Sequence, residues 1–214
     1  MGAREAPMLR RCAVAVFVVG VMASAQQGDR AEEYRKFIGK IHAAMGITAG
    51  SVVADIGSGD SPDHPAHISK AIGPTGRLVC EDIDGPALRK LAGRLKADGV
   101  QNVEFIVGRL DDPLLPPHMF DAITISNAYH EFAEPAAMLQ HAREALKPTG
   151  KLVVIEAISV RMRGKTRAEQ AKEHEIAPET LRREIEAAGF RDTELVTLRD
   201  AEGTTRYLVS ARPE

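Results

Sequence analysis

The chain contains no tryptophan, and phenylalanine and tyrosine bring its aromatic share to only 4% of 214 residues. Its core must therefore be mainly aliphatic. Cysteine occurs twice, at Cys12 and Cys80. A chain cleaved after residue 25 keeps only Cys80, so no internal disulfide is expected, and Cys80 reads as a small buried hydrophobe. A basic excess is also missing: 28 lysines and arginines face 30 acids, for a net charge of −2. Nothing in that balance supports a nucleic-acid partner, which would show as a basic face or stripe. There is no internal repeat and no linker long enough to mark a second domain. A chain of this length fits one domain.

The only long apolar run is near the start. Arg4, Arg10 and Arg11 precede Cys12 to Met22, and Ala23-Ser24-Ala25 then gives an A-x-A pattern. A positive end, a short apolar run and a small-residue site predict a secretory signal peptide over 1–25. The mature domain is then 26–214, periplasmic or secreted, or cytoplasmic if the leader is not functional. The run is short for a membrane span, so no stable insertion is expected after cleavage.

Beyond residue 28 the chain alternates between strand and helix. Residues 29–45 carry Tyr34, Phe37, Ile38, Ile41 and Met45 on one helical face, with Asp29 as the N-cap and Gly46 as the stop. Val52-Val53-Ala54-Asp55-Ile56 reads as a buried strand ending in an acid and running into Gly57-Ser58-Gly59. A helix past Pro65 leads to a second strand, Arg77 to Asp84, with acids at its carboxyl end. A helix from Gly85-Pro86 through Leu95 comes next, and then strands over Val103–Gly108, Phe120–Ser126 and Lys151–Ala157. A helix opening at Glu134-Pro135 and ending in Lys147-Pro148-Thr149-Gly150 precedes the last of these. The charged stretch from Arg161 to His174 reads as an exposed loop or loose helix, and Pro178–Gly189 as an amphipathic helix. Arg191–Leu198 and Thr204–Ala211 form a terminal hairpin. Such alternation predicts a parallel sheet with right-handed crossovers, closed by an antiparallel edge strand. In such sheets ligands bind beyond the carboxyl ends of the strands.

Five segments, in order, carry a resemblance. They are Val53-Ala54-Asp55-Ile56-Gly57-Ser58-Gly59, Gly76-Arg77-Leu78-Val79-Cys80-Glu81-Asp82-Ile83, Phe120-Asp121-Ala122-Ile123-Thr124, Ala145 to Leu152, and Glu186-Ala187-Ala188-Gly189-Phe190. Together they make the chain, from about Tyr34 onward, similar to the class I S-adenosylmethionine-dependent methyltransferases. The resemblance implies an α/β, Rossmann-like fold: a seven-stranded, mostly parallel sheet with an antiparallel last strand and helices on both faces. It implies S-adenosylmethionine as methyl donor and a small-molecule acceptor. It implies that Asp82 accepts from both ribose hydroxyls and that Ile83 touches the adenine face. Gly57, Ser58 and Gly59 lie along the ribose and methionine, Asp55 faces the ammonium, Arg109 and Leu110 meet the adenine edge, and Asn127 lies near the sulfonium. Arg109 offers only donors, so adenine recognition there falls to backbone. The spacing Gly-x-Gly-x-x-Gly is absent, with Pro62 at the third position, which counts against a nicotinamide oxidoreductase. A non-catalytic binding protein on the same fold is the alternative, because Asp60 to Pro65 lengthens the turn after Gly59.

The donor brings its own activated electrophile, so the protein mainly positions the acceptor and takes its proton. His130, in Asn127-Ala128-Tyr129-His130-Glu131-Phe132, is the candidate base, with Tyr129 or Glu131 orienting the acceptor. Asp60, Asp63, His64 and His67 read as acids and solvent-facing histidines at a helix start, and no metal site is expected. The oligomeric state is not readable.

Overall fold

The computed structural model describes residues 32, 35–199 and 205–214. The expected leader, the Asp29 cap and the hairpin tip lie outside them. Helix α1 spans 35–45 and stops at Gly46, which takes φ +66°. Strand β1 (Val52–Ile56) leads to α2 (Asp63–Ile72), β2 (Arg77–Asp82), α3 (Gly85–Ala97), β3 (Val103–Val107) and β4 (Phe120–Ser126). A 3-10 turn (Tyr129–Glu131) precedes α4 (Pro135–Ala145) and β5 (Leu146–Ala157), and a second (Val160–Met162) precedes α5 (Arg167–Lys172), α6 (Pro178–Ala187), β6 (Phe190–Arg199) and β7 (Thr205–Pro213).

Seven strands form one sheet in the order β3-β2-β1-β4-β5-β7-β6. The first five pair in parallel, while β7 runs antiparallel to both β5 and β6. The reversed strand is therefore not at the edge, as the sequence had suggested, but between β5 and β6. The reason is burial. Tyr207, Leu208, Val209 and Ala211 of β7 are at most 2% exposed, whereas β6 presents Leu195 and Val196 to solvent. An apolar strand takes the inner slot and the polar one takes the edge.

Alternate strand residues feed two cores. Val53, Leu78, Cys80, Ala122 and Val153 pack under Ile38, Ile41, Ile68, Ile72, Leu88 and Leu91 from α1, α2 and α3. Ala54, Ile56, Ile123, Ile125 and Val154 pack under Met138, Leu139, Leu181 and Ile185 from α4 and α6. Burying each valine, leucine, isoleucine or methionine side chain here contributes roughly 1.5–3 kcal/mol.

Three local expectations change. Strand β5 begins at Leu146 rather than Lys151, because the chain leaves α4 directly in extended form and Pro148 cannot donate within a helix. The second strand ends at Asp82, since Asp84 turns to cap α3 with its side chain accepting from Ala87 N at 3.1 Å. The charged stretch after β5 is tied down. Thr166 and Glu169 form a capping box at α5. Buried Gln170 donates to the carbonyls of Met162 and Lys165 and accepts from Ala177 N.

Candidate functional site

The glycine turn leaving β1 hangs from the end of β2. Gly57 N and Ser58 N both donate to the Glu81 carbonyl at 2.9 Å. Gly57 and Gly59 take φ +74° and +59°. Gly59 N donates to Asp82 Oδ2 and Asp84 N to Asp82 Oδ1, each at 2.8 Å. The Asp82 carboxylate is thus fixed at the mouth of the turn, with one further lone pair on each oxygen.

Around it lies a cavity of about 280 Å³ lined by Gly57, Gly59, Asp82, Ile83, Arg109, Leu110 and Asn127, together with Glu81, Ala128, Glu131 and Phe132. Seven of the nine residues expected at the donor site therefore line one space. Ile83 and Leu110 stand 53% and 61% exposed at its rim, where they offer apolar surface to a flat ring. A second cavity of about 610 Å³ shares Gly57, Gly59 and Asn127 with the first and adds Asp55, Asp60, Asp63, His64 and Phe37 of α1. Asp55 opens onto this second lobe. Ser58 also borders it, but its hydroxyl turns back onto the Asp55 carboxylate at 2.8 Å. Larger open depressions lie elsewhere, bordered by Lys151 and Arg191 or by Gly76 and Asn102. These residues sit toward the opposite ends of the strands, where the fold does not bind ligands.

Each lobe holds a buried acid. Asp55 and Glu81 are 2% and 1% exposed, and among the described residues Asp55 Oδ1 and Glu81 Oε1 have no hydrogen-bond partner. Burial, assisted for each by the charge of Asp82, pushes Asp55 up to about 7 and Glu81 up to about 8. Room for the Glu81 head comes from Gly108, where an added Cβ would meet Glu81 Oε1. His64 is not solvent-facing. It turns inward, with Nε2 3.3 Å from Thr124 Oγ1 and 3.8 Å from Asp55 Oδ1, and burial lowers it to about 4, so it stays neutral and does not offset the acid.

These two acids make stability depend on pH. Both carboxyls have folded-state values above their ordinary ones of 3.8 and 4.5. The folded chain holds these protons more tightly, so their contribution is complete below pH 4 and is lost as pH rises through 7 to 8. At about 1.4 kcal/mol per pH unit, two units for Asp55 and three for Glu81 set an upper bound of about 7 kcal/mol on the loss between pH 5 and pH 8.5. Thermal unfolding of the unliganded chain across that range checks it. Glu81→Gln should flatten the decline and exceed the unmodified chain in stability at pH 8.5.

The residues after β4 hold a second arrangement. His130 is 3% exposed, and Glu156 at the end of β5 is fully buried. Nδ1 of His130 lies 3.0 Å from Glu156 Oε2, and the His130 backbone N–H donates to Glu156 Oε1 at 3.1 Å. Burial alone would lower the imidazole, but the hydrogen bond and charge of Glu156 outweigh it and hold His130 above its ordinary value. His130 itself does not border the cavity, whereas its neighbour Glu131 does. Tyr129 is not available to orient an acceptor: it is fully buried and its hydroxyl donates to Glu184 at 2.7 Å.

Glu81, Glu156 and the inward His64 were missed in the sequence. The signal for the first two was present: each is an acid inside an apolar run, in Leu78-Val79-Cys80-Glu81 and Val153-Val154-Ile155-Glu156.

The arrangement can hold a ligand with a flat apolar ring, vicinal hydroxyls and a cationic tail. Residues 28–193 match the ubiE/COQ5 methyltransferase family. The ubiquinone/menaquinone biosynthesis C-methyltransferase UbiE of Pseudomonas fluorescens is 34% identical over 112 residues, which cover 52% of this chain and 43% of that protein. The match thus spans less than half of that relative's length. In fold, the chain is similar to a SAM-dependent methyltransferase from Aquifex aeolicus, with a TM-score of 0.69 at 22% identity over 81% of this chain and 88% of that one. It is likewise similar to a phosphoethanolamine N-methyltransferase of Haemonchus contortus crystallised with S-adenosylhomocysteine, with a TM-score of 0.65 at 14% identity over 84% and 53%. Among the described residues no helix is long and apolar enough to cross a membrane. The chain belongs to the ubiE/COQ5 methyltransferase family, within the class I S-adenosylmethionine-dependent methyltransferases.

Proposed function

We propose that this chain transfers the methyl group of S-adenosylmethionine to a small-molecule acceptor bound beside the Asn127–Phe132 segment. The observation that carries the reading is the Asp82 carboxylate, anchored by two backbone N–H groups at the end of β2 and flanked by Ile83 in the same cavity. When bound, the donor supplies a methyl on a positively charged sulfur, which leaves as a neutral thioether. The protein's part is placement. Asp82 accepts from the ribose hydroxyls, Ile83 and Leu110 cover the adenine, and Gly57 and Gly59 let the backbone come close. The unpartnered Asp55 oxygen and its acidic neighbours favour the donor's positive charges over a neutral analogue. Holding donor and acceptor in line replaces a bimolecular encounter with a local one, which is where most of the rate gain in such a transfer arises.

Calorimetry of the purified chain with S-adenosylmethionine tests this. Binding in the high-micromolar range or tighter is expected, and its absence overturns the reading. The UbiE relatives are named for C-methylation in ubiquinone and menaquinone biosynthesis, so carbon acceptors of that kind form the first arm of a screen with labelled donor. The leader pattern supports a mature domain that works outside the cytoplasm. An unprocessed N-terminus on chain recovered from the soluble cytoplasmic fraction would overturn that placement.

A further inference from the structure

We propose that His130, Glu131 and His174 form a binding site for one divalent first-row transition ion of the zinc type. Their ligand atoms lie within 4.8 Å of one another. Nε2 of His130 is 3.3 Å from Nδ1 of His174 and 3.7 Å from Glu131 Oε1, and Nδ1 of His174 is 3.9 Å from Glu131 Oε1. Ligands about 2.0–2.2 Å from a tetrahedral ion sit roughly 3.3–3.6 Å apart, so the three atoms already stand near the corners of such a site. Glu131 is an exposed side chain with room to close the last few tenths of an ångström.

Two features beyond proximity support the site. Glu156 is fully buried and its carboxylate can only accept, so the hydrogen of neutral His130 sits on Nδ1. That leaves the Nε2 lone pair facing His174 and Glu131. A buried carboxylate holding the far nitrogen of a ligating histidine is the common outer partner of metal sites, and it also raises the basicity of the ligand. The second feature is the placement of His174. It comes just after α5, its N–H donates to the Ala171 carbonyl at 3.0 Å, and it takes φ +57°. This turn carries the His174 ring to the Nε2 side of His130, and the two imidazoles meet edge to face with centroids 5.3 Å apart.

Two histidines and one carboxylate suit zinc or its first-row neighbours rather than magnesium or calcium, which prefer oxygen. One lone pair on Nε2 serves a proton or an ion, not both, so this assignment replaces the role of general base expected for His130 from sequence. The site stands apart from the donor reading, because its test involves no donor and no turnover. The spacing hid it: His174 lies 44 residues after His130.

The test uses tag-free full chain, stripped with a chelator and titrated with zinc chloride by calorimetry. Cobalt(II) provides a visible spectrum that separates four-coordinate from six-coordinate binding. One ion per chain is expected, with a micromolar or tighter dissociation constant and intense four-coordinate cobalt bands. His174→Ala and Glu131→Gln each change an exposed side chain, so the fold is kept. Each should weaken zinc binding at least 10-fold and reduce the cobalt bands. Glu156→Gln should weaken it by about 10–100-fold while leaving the ligands in place. No binding, or binding that His174→Ala and Glu131→Gln leave unchanged, overturns the assignment.

Discussion

Asp82→Ala is expected to weaken S-adenosylmethionine binding at least 100-fold by calorimetry. The side chain has two tasks at once. One lone pair on each oxygen accepts from the backbone of the glycine turn and of the α3 cap, at 2.8 Å apiece. The others face the cavity. Hydrogen bonds to a charged group contribute about 1.5–3 kcal/mol each, and two lost from the ribose account for a factor of 100, since tenfold corresponds to about 1.4 kcal/mol. Freeing Gly59 N also loosens the turn that the donor must approach. Asp82→Asn keeps the shape and one acceptor oxygen, so a smaller loss is expected. Its amide nitrogen cannot accept from either backbone N–H. The side chain is only half-buried, so the unliganded fold should survive both changes, as circular dichroism can check. A dissociation constant within threefold of the unmodified chain would show that Asp82 is not the ribose ligand.

The cavity at the strand ends was legible because its parts are local. An apolar strand, an acid and paired glycines occupy consecutive positions, and the fold rule for strand ends says where they face. Asp82 and Ile83 were read the same way, from a strand end. The features that escaped a sequence reading depend on partners far along the chain. The inner position of β7 comes from competition between two neighbouring segments for a buried slot. Its trace in the sequence is only a contrast, Tyr207-Leu208-Val209 against Arg191-Asp192-Thr193-Glu194. His64 looked like a surface residue among acids and prolines, because nothing local reveals that Thr124 of β4 lies 3.3 Å from its ring. His130 was singled out by type and position. Its partners Glu156 and His174 come from β5 and from the turn after α5, and only the folded chain brings them to it.

Gly57→Ala is expected to cost the fold about 2–4 kcal/mol and to abolish donor binding. Two penalties add at this position. With φ at +74°, an alanine is strained wherever its side chain goes. A Cβ built there also falls 2.5 Å from the Cβ of Ala128, which is 8% exposed and part of the core beneath α4 and α6. Relief requires the turn after β1 and the turn after β4 to move apart, and these are the walls at which the two lobes of the cleft meet. For a chain of this size, about 3 kcal/mol corresponds to roughly 6–12 °C in melting temperature. Gly59→Ala separates the two penalties. Its φ of +59° brings the same kind of strain, but among the described residues nothing lies within 4 Å of the added methyl. A loss near 1 kcal/mol is therefore expected there. Combining Gly57→Ala with Ala128→Gly removes the collision and leaves the backbone strain. The double variant should regain part of the stability, and the deviation from additivity should measure the clash. If Gly57→Ala melts within 2 °C of the unmodified chain, the two turns are not in the close contact on which the shape of the cleft depends.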